Sequence, residues 1–194
     1  MREGAVFRKT TETDVEVLVN LDGSGKYEID TKSGFFNHML ELFAKHSQMD
    51  LKVICSGDVD VDDHHTVEDC GIAMGEAIKK ALGNKEKIKR YATAFVPMDE
   101  ALARVCLDIS GRPYIHYDVE FECMTTGKFD AQLCEEFMRA LAVNAGLTLH
   151  ISVLYGKNTH HIIEAVFKAV GQAIRSAASI DESLQGVLST KGVL

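Results

Sequence analysis

Two short stretches of the chain carry the same set of donors. Residues 62–77 read DDHHTVEDCGIAMGEA and residues 158–173 read NTHHIIEAVFKAVGQA, so His-His-x-x-Glu occurs as His64, His65, Glu68 and again as His160, His161, Glu164. Imidazole nitrogens together with a carboxylate suit a borderline divalent ion such as Zn²⁺, Mn²⁺ or Fe²⁺. The set holds carboxylate and no thiolate, which leans away from a structural zinc site. On a helix, positions 64 and 68 share a face, as do 65 and 68, whereas neighbours 64 and 65 diverge by about 100°. Adjacent histidines therefore do not easily grip one ion. Each is expected to serve a different metal, with the duplicate motif completing the shell. A lone His-x-x-x-Glu pair is often only a helix-surface contact. Here most side chains differ between the copies while the three donors persist, and that favours ligation.

The elements that must position these donors also repeat. At an offset of 96, Ala73, Gly75, Ala77, Ile78 and Ala81 fall on Ala169, Gly171, Ala173, Ile174 and Ala177, so each signature opens an amphipathic helix. Asp63 and Thr159 are the expected N-caps. Upstream, an offset of 98 lays HMLELFAKHSQMDLKV, from His38, over EFMRALAVNAGLTLHI, from Glu136. Each reads as a helix, a break near Ser47-Gln48 or Ala145-Gly146, then a short strand. Further back, VNLDGSGK from Val19 resembles VCLDISGR from Val105, each within an alternating, strand-like run. Each half thus reads as a β-hairpin or meander, helix, strand, helix. The expected fold is α/β, in the two-layer α+β sense: an internal duplication, each half a β-sheet with two helices packed on one face. The halves are residues 1–90 and 91–194, together one compact unit.

His38 occupies the place of Glu136 in that alignment, which brings the candidate ligands to eight. Shared over two ions they give four each, and a six-coordinate ion would keep two positions open for chemistry. Whether the halves meet within one chain or between chains is open at this stage. Metal-linked oligomerisation is one expectation.

Bulk properties narrow the partners. With 21 Lys and Arg against 29 Asp and Glu, the formal charge is −8, which argues against nucleic acid. An anionic small molecule needs only a few local cations. No apolar run approaches the ~18 residues of a membrane span, and MREGAVFRKTTETD lacks the apolar core of a signal peptide. The five scattered cysteines, without a C-x-x-C pair, read as reduced thiols of a cytoplasmic protein.

Taken together, FFNHMLELFAKH, DDHHTVEDCGIAMGEA, LDISGRPY, EEFMRALAVNAGLTLHI, THHIIEAVFKAVGQAIRSA and STKGVL resemble the imidazoleglycerol-phosphate dehydratases of histidine biosynthesis, over nearly the whole chain. The resemblance implies a cytoplasmic lyase that removes water from imidazole glycerol phosphate to give imidazole acetol phosphate. It also implies Mn²⁺, two ions per active site, a duplicated fold, and a 24-subunit shell assembled from trimers with active sites between subunits. Carried over by position, the metal ligands are His38, His64, His65, Glu68, His160, His161 and Glu164. Glu136 stands where some members have a ligating histidine. Arg90, Arg112, Lys191 and Ser189 are implied for the phosphate, with Lys168 and His46 as further substrate contacts.

The chemistry is demanding, because a barely acidic C–H must break and hydroxide must leave. The expected route is through a metal-bound imidazolate that expels the neighbouring hydroxyl. A carboxylate must move the protons. Glu12, in RKTTETDVEV, is the first candidate by the resemblance, with Glu68 and Glu164 as alternatives, although a carboxylate tied to a metal is a poorer base. Two other classes stay in view: a two-metal hydrolase of a small phosphorylated substrate, and a non-catalytic assembly protein glued by its histidines.

Overall fold

Alternation at period two makes the strands and places their faces. On β2 (Thr13–Asn20), Val15, Val17 and Val19 are buried while Asp14 and Leu18 point outward. In the computed structural model, which describes residues 1–194, β1 (Glu3–Lys9) and β2 are followed by β3 (Tyr27–Asp30), α1 (Gly34–Ser47), β4 (Asp50–Gly57) and α2 (His64–Leu82). The second half runs β5 (Tyr91–Met98), β6 (Ala101–Asp108), β7 (Tyr114–Asp118), the two-residue strands β8 (Thr125–Thr126) and β9 (Phe129–Asp130), α3 (Leu133–Ala145), β10 (Thr148–Tyr155) and α4 (Thr159–Ala178).

The sheets repeat each other strand for strand. The first has the order β1-β2-β4-β3 and the second β5-β6-β10-β7, each antiparallel except for one parallel pair, β3 with β4 and β7 with β10. The β8–β9 ribbon has no counterpart in the first half. The duplication is therefore a property of the fold. Each sheet carries its two helices on one face, and α2 packs against α3 as α1 packs against α4, so the helices lie between the sheets. One hydrophobic cluster of 50 buried residues runs through both halves.

Two glycines set how closely the helices of different halves approach. A Cβ on Gly75 would stand 2.8 Å from the Leu141 carbonyl oxygen and 2.9 Å from the Ala145 nitrogen. Its counterpart, Gly171, would meet the Phe43 carbonyl oxygen at 2.9 Å. Ala would gain roughly 1 kcal/mol in helix propensity, but overpacking against backbone costs about 1–3 kcal/mol. Gly75→Ala and Gly171→Ala are each expected to lower stability by about 1–2 kcal/mol, read as an earlier midpoint in chemical denaturation. A gain in either would mean the helices can part at no cost.

The helix ends explain one departure from expectation. α1 and α3 stop in the left-handed conformation at Gln48 (φ 56°) and Gly146 (φ 71°), at the breaks the sequence marks. α4, however, is capped by Asn158 and not by Thr159. The Asn158 side-chain oxygen accepts from the amides of His160 at 2.9 Å and His161 at 3.4 Å, while the Thr159 hydroxyl is already donating to the Cys123 carbonyl at 2.8 Å. Asp63 does precede α2, but its carboxylate takes the Ser33 hydroxyl at 2.7 Å, and Asp62 accepts the His64 amide at 2.8 Å instead.

Candidate metal centre and active site

α1 and α4 pack side by side along their length, His38 facing Glu164 near their starts and His46 facing Gln172 near their ends, and this brings three of the candidate ligands together. His160 Nε2 is 3.2 Å and His38 Nε2 3.8 Å from Glu164 Oε2, and the three donor atoms all lie within 4.8 Å of one another. Bonds of about 2.0–2.2 Å to a common ion hold donors about 3 Å apart in cis and about 4.3 Å in trans. Small side-chain rotations close this cluster on a cation, and two imidazoles with one carboxylate suit a divalent transition metal. The group fits its site.

Glu164 is the buried member, with a side chain 9% exposed. Burial alone would push its carboxyl up, but the Lys168 ammonium 2.5 Å from Oε1, with His38 and His160 beside it, holds it below the usual carboxylate range. Phe35 stands edge-on to the His160 ring, 5.2 Å between centroids, and fixes its tilt.

The corresponding residues of the other motif are looser. His64 Nε2 lies 3.9 Å from Glu68 Oε2, both roughly half exposed, and Glu136 sits in the first turn of α3 with a free carboxylate. Here Glu136 replaces histidine and Ile72 stands at the place of Lys168. No ammonium stands beside Glu68 as Lys168 stands beside Glu164, and the set is the more open one.

His65 and His161 turn away from their neighbours. The His64 and His65 rings are 5.9 Å apart at 87°, and the His160 and His161 rings 6.1 Å apart at 82°. Each imidazole is oriented from behind by a carboxylate. Asp58 lies 3.0 Å from His65 Nδ1, and Glu100 lies 2.7 Å from His161 Nδ1. This leaves both Nε2 atoms aimed outward, the arrangement in which a second carboxylate fixes tautomer and raises ligand basicity. Sequence reasoning missed Asp58 and Glu100. Only Glu100 had a signal, the MDEA turn of a second hairpin, and nothing in the spacing joins it to a histidine 61 positions away.

These partners have a pH consequence. The Asp58 hydrogen bond pushes the His65 pKa up from 6.5, and the Glu100 hydrogen bond does the same for His161. A raised pKa means that the metal-free protein gains stability from imidazolium below pH 6.5 and loses it as pH rises through the higher folded value. A divalent ion at either Nε2 would need the neutral ring, so protons would compete up to that same higher pH. Affinity for an added divalent ion is expected to fall as pH drops from 8 to 6, with proton release on binding measurable by calorimetry in buffers of different ionisation enthalpy. Glu100→Gln is expected to reduce the release.

Glu12, at the tip of the β1–β2 hairpin, has Oε1 3.8 Å from His65 Nε2 and accepts no hydrogen bond. The second hairpin presents Asp99 to His161 Nε2 at 3.6 Å. Further along α4, Lys168 also reaches Met98 Sδ at 3.4 Å, and Gln172 Nε2 lies 3.4 Å from His46 Nδ1. Burial, and then the Lys168 charge, lower the pKa of His46.

The remaining candidates gather elsewhere. Arg90 forks onto Asp108 at 2.7 and 3.1 Å and donates from Nη1 to the Leu188 carbonyl at 2.7 Å. It thereby tethers the segment that carries Ser189 and Lys191. Arg112 is exposed in the loop whose Gly111 lies against Leu194. This group sits at the far end of α4, where the Arg90 amide donates to the Ala177 carbonyl. Ala177 lies thirteen helical steps beyond Glu164, about 20 Å.

The comparisons with known proteins agree with one another. The family model for imidazoleglycerol-phosphate dehydratase matches residues 31–174. The chain is 59% identical over 194 residues to imidazoleglycerol-phosphate dehydratase of Clostridium kluyveri, covering 100% of both chains. It is 61% identical over 189 residues to the enzyme of Clostridium botulinum strain Langeland, covering 97% of this chain and 96% of the other. The crystal structure of imidazoleglycerol-phosphate dehydratase from Staphylococcus aureus superposes with a TM-score of 0.84 at 40% identity, covering 92% of this chain and 99% of that one. The Pyrococcus furiosus structure, a complex with (S)-C348, gives 0.84 and 40% over 97% and 100%. The chain belongs to the imidazoleglycerol-phosphate dehydratase family, whose members are hydro-lyases.

Proposed function

We propose that the chain dehydrates imidazole glycerol phosphate to imidazole acetol phosphate and water, a step of histidine biosynthesis, with two Mn²⁺ ions in each active site. The observation that carries this reading is the convergence of His38, His160 and Glu164 in a chain of this family. When bound, the ions supply Lewis-acid polarisation of the ring and of the departing hydroxyl. The residues do the rest. Lys168 neutralises Glu164 and keeps it ionised as a ligand. Asp58 and Glu100 hold His65 and His161 with Nε2 outward. Glu12, whose carboxylate accepts no hydrogen bond and stands beside His65, is the group to take a proton from carbon and return it. Arg112, Lys191 and Ser189 offer the charge and hydrogen bonds that a phosphate needs.

The separation of about 20 Å along α4 between the basic tail and the three-ligand cluster supports a site completed between copies of the chain. So do the outward-facing Nε2 atoms of His65 and His161, which meet only the hairpin carboxylates of Glu12 and Asp99 in their own protomer. The outer faces of both sheets expose large apolar residues at matching places, Phe7 on β1 and Phe95 on β5, at 74% and 56%. Faces of that kind seek cover. We infer a shell of 24 subunits built from trimers, with metal-linked contacts. Chelator is expected to shrink the particle in light scattering, and an unchanged size after complete metal removal would exclude the linkage. No helix is long and apolar enough to cross a membrane, and we place the enzyme in the cytoplasm.

The direct test is incubation of manganese-loaded protein with imidazole glycerol phosphate. Ketone should form without release of phosphate. Phosphate release would favour a two-metal hydrolase, and neither product would favour a non-catalytic assembly role.

A further inference from the structure

The β1–β2 hairpin is fastened to α2 by a buried carboxylate that the chemistry above leaves unused. Asp69 is 6% exposed. Its Oδ2 lies 2.6 Å from Arg8 Nη1 and accepts a hydrogen bond from the Thr13 hydroxyl. Arg8 is the next-to-last residue of β1 and Thr13 the first of β2. Both ends of the turn that presents Glu12 therefore converge on one oxygen atom. Inside the turn, the Thr10 hydroxyl accepts from the amides of Glu12 at 3.1 Å and Thr13 at 3.0 Å, and the Thr10 amide donates to the Thr13 carbonyl at 2.9 Å. Little freedom is left to the backbone of Glu12.

The other side of the tie is the metal-binding helix. Asp69 follows His65 by four residues and so shares its helical face. One oxygen thus references the hairpin to the strip of α2 that carries the imidazole opposite Glu12, 3.8 Å away. The duplicate half shows that the fold does not require such a tie. Ala165, buried, stands at the place of Asp69. The second hairpin is secured by its own tip, where Glu100 accepts from the amides of Lys157 at 3.1 Å and Asn158 at 2.7 Å. Two halves with the same strand order use different fastenings, and the buried ion pair belongs to the hairpin whose carboxylate stays free.

We propose that Asp69 is a positioning residue for the reaction: with Arg8 and Thr13 it holds the Glu12 carboxylate at the reacting centre. The role rests on the reading of Glu12 as the acid/base group, and the experiment separates the two. Asp69→Asn keeps the shape and an acceptor for Thr13 but removes the charge facing Arg8. A misplacement of about 1 Å costs about 10²-fold, so kcat is expected to fall about 10- to 100-fold, with KM and metal content changed less than about twofold. Amide exchange at Glu12 and Thr13 should quicken. In a Glu12→Gln background the same substitution should cost less than about twofold, since the group it positions has already lost its function.

An unchanged kcat, an equal loss in both backgrounds, or a loss of metal that tracks the loss of activity would overturn the proposal. Should Asp69→Asn fail to fold, Thr13→Val, which removes only the hydroxyl, runs the same cycle, and each outcome carries the same meaning. Glu12→Gln alone, retaining near-wild-type turnover, would remove Glu12 from the mechanism and this role with it, and that result is visible before any double variant is made.

Discussion

Glu164→Gln is expected to cut turnover on the order of 10³-fold and to empty the metal cluster, because one buried carboxylate there serves three partners. Its Oε2 faces His38 and His160, and its Oε1 faces Lys168. A Lewis acid supplies several kcal/mol to the barrier, and each 1.4 kcal/mol or so is tenfold in rate, which sets the size of the loss. The neutral amide binds a divalent ion poorly and leaves the ammonium, 15% exposed, without its counter-charge. Removing one partner of a buried pair costs about 3–5 kcal/mol. The amide oxygen still accepts a hydrogen bond from Lys168, so about 3 kcal/mol is the better expectation.

The two effects can be separated. Adding Lys168→Met to Glu164→Gln removes the unpaired charge and should recover most of the lost stability, measured by denaturation of the metal-free protein. Metal content should stay low in the double variant. Were metal to return with stability, Glu164 would be a structural anion and not a ligand. Full metal in the single variant would have the same meaning.

What was legible in the chain depended on how local each signal was. The period of two in β2 and the helical spacing of Ala169, Ala173 and Ala177 need only a dozen residues of context, and the same is true of His160 and Glu164, four apart on one turn. Duplication added a longer-range check, and the matched strand orders bear it out. The orienting carboxylates were not legible. Glu100 reaches His161 only because a hairpin folds back over the start of α4, and Asp58 reaches His65 around the β4–α2 connection. Asn158 took the cap from Thr159 for a similar reason, since a distant carbonyl at Cys123 claims the threonine hydroxyl. Arg90, which the resemblance implies for the phosphate, has its fork filled within one protomer by Asp108 and the Leu188 carbonyl, and no local signal announced those partners.

The two hairpin carboxylates, Glu12 and Glu100, occupy related places and are expected to fail in different ways. Glu100 is tied to His161 and to two backbone amides, which bring its pKa down to about 2. A carboxylate that acidic is a poor base near pH 7 and cannot return a proton as an acid. Its work is orientation, so Glu100→Gln should weaken metal affinity about 10- to 100-fold while kcat at saturating Mn²⁺ stays near normal. Glu12 has no such ties, and its one neighbour is the His65 imidazole at 3.8 Å. Glu12→Gln should leave metal affinity unchanged and lower kcat about 10²- to 10⁴-fold, the range of general acid–base catalysis. Metal binding and turnover measured on both variants decide between the two roles. Loss of metal from Glu12→Gln, or of kcat at saturating metal from Glu100→Gln, would exchange them, and the proton would then have to travel through the second hairpin.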